Sequence, residues 1–92
     1  MIVNFRVPGV EMFFRAGQTE GIRVGHARKL GMVLAMLDVA QNPQELNQVA
    51  LRLQPAGGGQ PEQWSARVDD AWQLVFRFVG VDVDVIDYRA GN

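Results

Sequence analysis

The stretch WSARVDDAWQLVFRFVGVDVDVIDY, Trp64–Tyr88, decides the fold. In its first five residues Trp64, Ala66 and Val68 alternate with Ser65 and Arg67, the period of a strand with one face buried. Asp69, Asp70 and Ala71 supply the polar, small residues of a hairpin turn. The alternation resumes with Trp72, Leu74, Phe76 and Phe78 on one face. A tight turn near Gly80 leads into a last strand, VDVDVIDY. Strands joined this closely pair antiparallel.

Upstream the period changes. Ile2–Phe5 reads as a short opening strand stopped by Pro8 and Gly9, and Val10–Ala16 as a short helix that Gly17 ends. From Gly25 onward Ala27, Leu30, Leu34 and Leu37 recur three or four apart, flanked by Val33 and Met36, which marks the main helix. Its start is basic (Arg23, His26, Arg28, Lys29). Its end, GMVLAMLDVA, is apolar nearly all round, which predicts cover on more than one side and also suits a self-dimer. Asn42, Pro43 and Glu45 form a capping-box start for a third, short helix, and Ala50–Leu53 reads as a short strand. Helices first and strands after predict an α+β fold: one domain over 1–92, an antiparallel or mixed sheet of about 4–5 strands against 2–3 helices.

Composition narrows the function classes. A chain of 92 residues that is 48% hydrophobic supports one core and buries roughly 60–65% of its unfolded surface. The absence of cysteine excludes disulfides, thiolate metal sites and cysteine nucleophiles. A single histidine, His26, does not make a zinc site. The longest apolar run, Met32–Leu37, is too short to span a membrane, and the opening residues lack signal-peptide character. The expectation is a soluble cytoplasmic protein without metal or small-molecule cofactor. The net charge of −1 hides an asymmetry: Met1–Gln54 carries six basic and four acidic residues, Pro55–Asn92 three and six. The basic footprint is modest for a nucleic-acid binder.

The glycine-rich segment LRLQPAGGGQPEQWSARV, Leu51–Val68, invites a phosphate-loop reading. It lacks the Lys-Ser/Thr pair and leads into a strand, so both the Walker and dinucleotide readings fail; it is a connection. Trp64 and Trp72 read as core, with base stacking as the alternative. His26 reads as part of a solvated helix end, with phosphate contact as the alternative. Period two sets Asp82 and Asp84 on one face and Asp87 on the other, as charges guarding a sheet edge rather than a metal site. Tyr88-Arg89 alone reads as a surface tail.

Taken in order, several segments resemble the RelE/HigB-type toxins of bacterial toxin–antitoxin pairs, in the HigB or plasmid-maintenance killer branch. They are Ile2 and Phe5, the helix V-E-M-F-F, HARKL (His26–Leu30), LDVAQNPQEL (Leu37–Leu46), R-L-x-P (Arg52–Pro55), W-S-x-x-V, W-x-x-x-F and the pair Asp87-Tyr88. The resemblance implies a compact fold that enters the ribosomal A site and cuts mRNA by attack of a ribose 2′-hydroxyl on the next phosphate. It also implies a helix-turn-helix antitoxin as partner, and the 70S ribosome with its mRNA. Such chemistry needs a proton acceptor, a proton donor and cations.

In that branch the roles fall to a His and a Lys in R-L-H-P-L-K-G, an Arg in W-R-I and the His of D-Y-H. Here those slots hold Gln54, Gly57, Gln73 and Arg89. A glutamine cannot shuttle protons at neutral pH, and an arginine is a poor base. The resemblance therefore implies a catalytic set of Gln54, Gln73, Asp87, Tyr88 and Arg89, with Arg52, Arg67 and Arg77 on RNA, whose activity is weak or lost. The alternative it leaves is a non-catalytic homologue that binds its antitoxin and helps repress its operon.

Overall fold

A computed structural model describes all residues except 47, 57–62 and 92, and of 48 and 49 the backbone alone. Strand β1 (Ile2–Phe5) opens the chain and helix α1 (Pro8–Ala16) follows, with proline in its first turn, where the missing N–H costs nothing. Gly17, at φ 72°, closes α1 by donating its N–H to the Phe13 carbonyl. Helix α2 (Ala27–Val39) buries Leu30, Val33, Leu34 and Leu37 completely. A single 3-10 turn (Pro43–Glu45) and a one-turn helix α3 (Gln48–Leu51) lead to β2 (Gln54–Pro55). Strands β3 (Gln63–Arg67), β4 (Trp72–Val79) and β5 (Asp82–Ala90) complete the chain.

The sheet order is β1-β5-β4-β3-β2, parallel between β1 and β5 and antiparallel elsewhere. This is the expected α+β architecture with a mixed sheet, and its helices pack on one face. The core joins the buried face of α2 and Val10 of α1 to Ala66, Leu74, Phe76, Val83 and Val85 of the sheet, with Trp64, Trp72, Phe78 and Tyr88 packed at its margin.

Three expectations need correction. Ala50–Leu53 is not a strand: Leu51 ends α3 fully buried, and Arg52 then turns the chain with a left-handed φ of 47°. The capping box forms, with Asn42 accepting from the Glu45 N–H and Glu45 accepting from the Gln41 N–H, but it starts only the single 3-10 turn. The apolar end of α2 is covered on one side, not on several. Met32, Ala35 and Val39 stay exposed, the first at 43% and the last at 78%.

The aspartates of β5 also differ from expectation. The strand lies inside the sheet, so they guard no edge. Its pairing with β4 slips between Val75↔Asp87 and Phe76↔Val85, leaving Ile86 as an extra residue. Such a bulge resets the side-chain alternation. Asp84, opposite Arg77, and Asp87, opposite Val75, consequently share one face, while Tyr88, opposite Leu74, turns into the core.

The loop before α2 is held against α1 by two glycines. A Cβ on Gly9 would lie 2.5 Å from the Gly21 carbonyl oxygen, and one on Gly21 would lie 2.4 Å from the Gly9 Cα. Backbone meets backbone there, so no side-chain rotation relieves a clash. Gly21→Ala is expected to destabilise the fold by about 1–3 kcal/mol, measured by urea unfolding; an unchanged midpoint would show that the loop is not held by this contact.

Candidate functional site

The sheet face away from the helices gathers most of the polar side chains singled out in the sequence. Pairing sets Gln54 of β2, Ser65 of β3, Val75 of β4 and Asp87 of β5 in one row across the strands. Arg67, Gln73 and Arg89 form the next row, and Gln63, Arg77, Asp84 and Asn4 a third. Ser65, Gln73 and Val75 are buried on this face even though Val75 lies outside the main core. Gly91 lies against the Gln73 amide.

The charges are matched in a definite way. Arg89 Nη1 lies 3.2 Å from an Asp87 oxygen, both groups about half exposed. Asp84, only 5% exposed at its side chain, receives Arg6 at 2.7 Å, Arg77 at 3.1 Å and the Asn4 amide at 3.0 Å. Burial pushes the Asp84 carboxyl upward, but hydrogen bonds from Arg6, Asn4 and Arg77 outweigh it and hold the group below its ordinary value. Arg67 donates to the carbonyls of Asp70 and Gly91 at 3.3 and 3.0 Å. Four guanidiniums (Arg6, Arg67, Arg77, Arg89) thus face two carboxylates, since Asp82 is answered by the N-terminal ammonium at 3.7 Å. The excess suits an anionic ligand.

The residues proposed for catalysis are not all gathered. Gln73, Asp87 and Arg89 are neighbours. Gln54 is three strand intervals from Asp87, about 14 Å along the sheet at ordinary strand spacing, with Ser65 and Val75 between them. Arg52 lies off the sheet in a cleft of about 280 Å³ that it shares with Lys29, Arg67, Asp69 and Asp70, and it pairs with Asp70 at 3.2 Å. Arg77 stands away from that cleft, on Asp84. Gly57 lies outside the described residues. Among the described residues no group of three or more His, Asp or Glu side chains converges to hold a metal.

Tyr88 faces the helices, back to back with Asp87 and Arg89. Its hydroxyl lies 2.5 Å from His26 Nδ1, and His26 Nε2 lies 2.6 Å from Asp69 Oδ2. The Arg23 N–H donates to the Tyr88 oxygen at 3.0 Å, and Asp69 Oδ1 accepts from the N–H groups of Ala71 and Trp72. A ring that donates from Nε2 and accepts at Nδ1 satisfies every polar atom in this chain. Burial holds the Tyr88 hydroxyl above its ordinary pKa against the opposing Arg23 N–H. The hydrogen bond from His26, with those from the backbone, holds the Asp69 carboxyl below its own.

His26 is therefore no solvated helix end: it is 5% exposed, edge-on to Trp72 and Tyr88. The sequence offers no local sign of this, because its partners lie 43 and 62 residues away. Ser65 was also missed as an open-face residue, although the alternation of WSARV places it beside Arg67.

The family model of the RelE-like toxin HigB, from type II toxin–antitoxin systems, matches residues 3–89. The chain belongs to this family of HigB-like toxins, and its fold is RelE-like. A search of curated proteins gives no match. No helix among the described residues is long and apolar enough to cross a membrane.

Tyr88→Phe is expected to leave His26 Nδ1 buried without a partner and to cost about 1–3 kcal/mol, seen as a Tm lower by several degrees in a chain of this size. A Tm unchanged by the substitution would mean the hydroxyl chain contributes nothing. Because Asp69 and Asp84 both titrate below the ordinary 3.8 when folded, their contribution is present above that value and lost as pH falls through the folded values. Acid titration of stability is expected to show this loss, and Asp84→Asn to flatten it.

Proposed function

We propose that this HigB-like toxin meets RNA with the open face of its sheet and cuts it weakly or not at all. The observation that carries the reading is the state of the face's proton-handling groups. Asp84 is clasped by three donors, and Asp87 is paired to Arg89. The glutamines at positions 54 and 73 cannot take up or release a proton at neutral pH, and the chain's one Tyr hydroxyl is turned to the other side and spent on His26. The guanidiniums can hold phosphate, while among the described residues a 2′-hydroxyl attack would have Asp87 as its one base and no neighbouring acid for the leaving oxygen. Loss of one general acid or base costs a factor of about 10²–10⁴.

In this reading Arg67, Arg77 and Arg89 contact the RNA backbone, with Arg52 at the margin, and the target is mRNA in the A site of a 70S ribosome. Membership of a type II toxin family brings an antitoxin partner; we take it to be a helix-turn-helix protein, and the pair to act in the cytoplasm without a cofactor.

Induction in a bacterial host separates the outcomes. The unaltered chain is expected to slow growth little, and a Gln54→His/Gly57→Lys/Gln73→Arg/Arg89→His version to arrest it, with translated mRNA cleaved at least about 10²-fold faster. Strong arrest and cleavage by the unaltered chain overturn the reading and make Asp87 the first residue to replace. Absence of 70S binding by the unaltered chain, seen by ribosome pelleting, favours instead a regulatory homologue that acts through its antitoxin alone.

A further inference from the structure

Helix α2 has a second face that nothing among the described residues covers. Arg28, Met32, Ala35 and Val39 are all exposed, and their spacing of four, three and four residues places them in one stripe along the helix. The 13-residue helix is about 20 Å long, and this stripe runs most of its length. At its N-terminal end a groove of about 500 Å³ is lined by Gly25, Arg28, Lys29 and Met32, beside the fully exposed Val24. Arg28 forms no ion pair among the described residues, and Lys29 reaches only the Ala50 carbonyl, at 2.9 Å. The one carboxylate of α2, Asp38, is at the opposite end and accepts from the Ile2 N–H.

We propose that this stripe is the docking surface for an amphipathic helix of a partner protein. The partner's apolar residues would lie on Met32, Ala35 and Val39, and its carboxylates would meet Arg28 and Lys29. Two features of the surface select that chemistry. An apolar stripe three side chains long takes an apolar stripe at i, i+3/i+4 and i+7 spacing, and two cations without acidic partners at one end set direction and register through charge complementarity. A nucleic acid would find cations only at that end and methyl groups over the remainder. A second copy of the chain fits worse. A two-fold antiparallel pairing sets Arg28 against Val39, a parallel one sets Arg28 against Arg28, and neither supplies the carboxylate. The apolar stripe belongs to the helical layer, Lys29 alone bordering an open-face residue, Arg67, across the cleft they share, and the inference does not depend on whether RNA is cut.

The test uses the full chain and two labelled synthetic helical peptides of roughly 18 residues. Both carry a leucine stripe at i, i+4, i+7 and i+11 spacing, flanked in one by glutamates and in the other by lysines. Fluorescence anisotropy is expected to show the glutamate peptide binding about tenfold or more tighter than the lysine peptide. Met32→Glu is expected to weaken the glutamate peptide by at least about tenfold, and Arg28→Glu/Lys29→Glu to reverse the order of the two peptides. Arg28 and Met32 are exposed and Lys29 is half-buried, and circular dichroism checks that each variant stays folded. Failure of both peptides to bind, equal binding, or indifference to these substitutions overturns the proposal. It is also overturned if light scattering finds a dimer that Met32→Glu dissociates, or if a single-stranded RNA oligomer binds in a way that Arg28→Glu/Lys29→Glu abolishes and Met32→Glu does not. None of these readouts involves RNA cleavage, so they fail or succeed separately from the open-face reading.

Discussion

One extra residue in the last strand governs how this protein divides its chemistry. Ile86, inserted where β5 passes Val75 and Phe76, shifts the alternation of everything after it. Were Ile86 paired in regular register with Val75 instead of bulged, Asp87 and Arg89 would point into the packed side of the sheet and Tyr88 out of it, because a one-residue slip moves every following side chain to the other face. An ion pair would then have to be buried among Leu74, Phe76 and Trp72, at a large desolvation cost. His26, buried at the start of α2, would lose the hydroxyl that satisfies its Nδ1. The bulge lets one strand serve the core with Val83, Val85 and Tyr88 and the open face with Asp84, Asp87 and Arg89.

That same residue marks the limit of what the sequence could say. The strands β3, β4 and β5, the helices α1 and α2 and their common core are legible from periodicity alone, since burial on one face imposes periods of two and three to four. Periodicity extended through VDVDVIDY places Asp87 opposite Asp84, and only pairing with β4 reveals the slip. ALRL failed for a related reason. Four residues fit a strand or a helical turn equally well, and tertiary burial of Leu51 together with the left-handed Arg52 settled it. The contacts of His26 are invisible locally because a buried histidine between a hairpin turn and a distant strand leaves no spacing signal. Basic neighbours at positions 28 and 29 made it resemble a solvated end.

Among its described residues the open face carries more guanidiniums than carboxylates. Gln73 sits between Arg67 and Arg89 in a row where a third guanidinium would add repulsion as well as affinity. Gln54, exposed at the short edge strand, is too far from Asp87 for the two to share one phosphate without movement of the chain. Both Asp87 oxygens already accept hydrogen bonds, one from the Tyr88 N–H at 2.9 Å and one from Arg89 at 3.2 Å. The arginines therefore argue for contact with an anion more strongly than the remaining polar groups argue for turnover.

The two sides of α2 complete that division. Its inner face supplies four fully buried aliphatic residues to the core, so the helix cannot rotate or shift register to hide its outer stripe without emptying that core. Methionine, valine and alanine therefore remain in water as long as the chain is alone. Contiguous exposed apolar residues of this kind mark interaction surfaces more often than chance scatter does. They lie in the helical layer while Arg77 and Arg89 lie on the opposite face of the sheet, so a partner seated on α2 would leave those two guanidiniums uncovered.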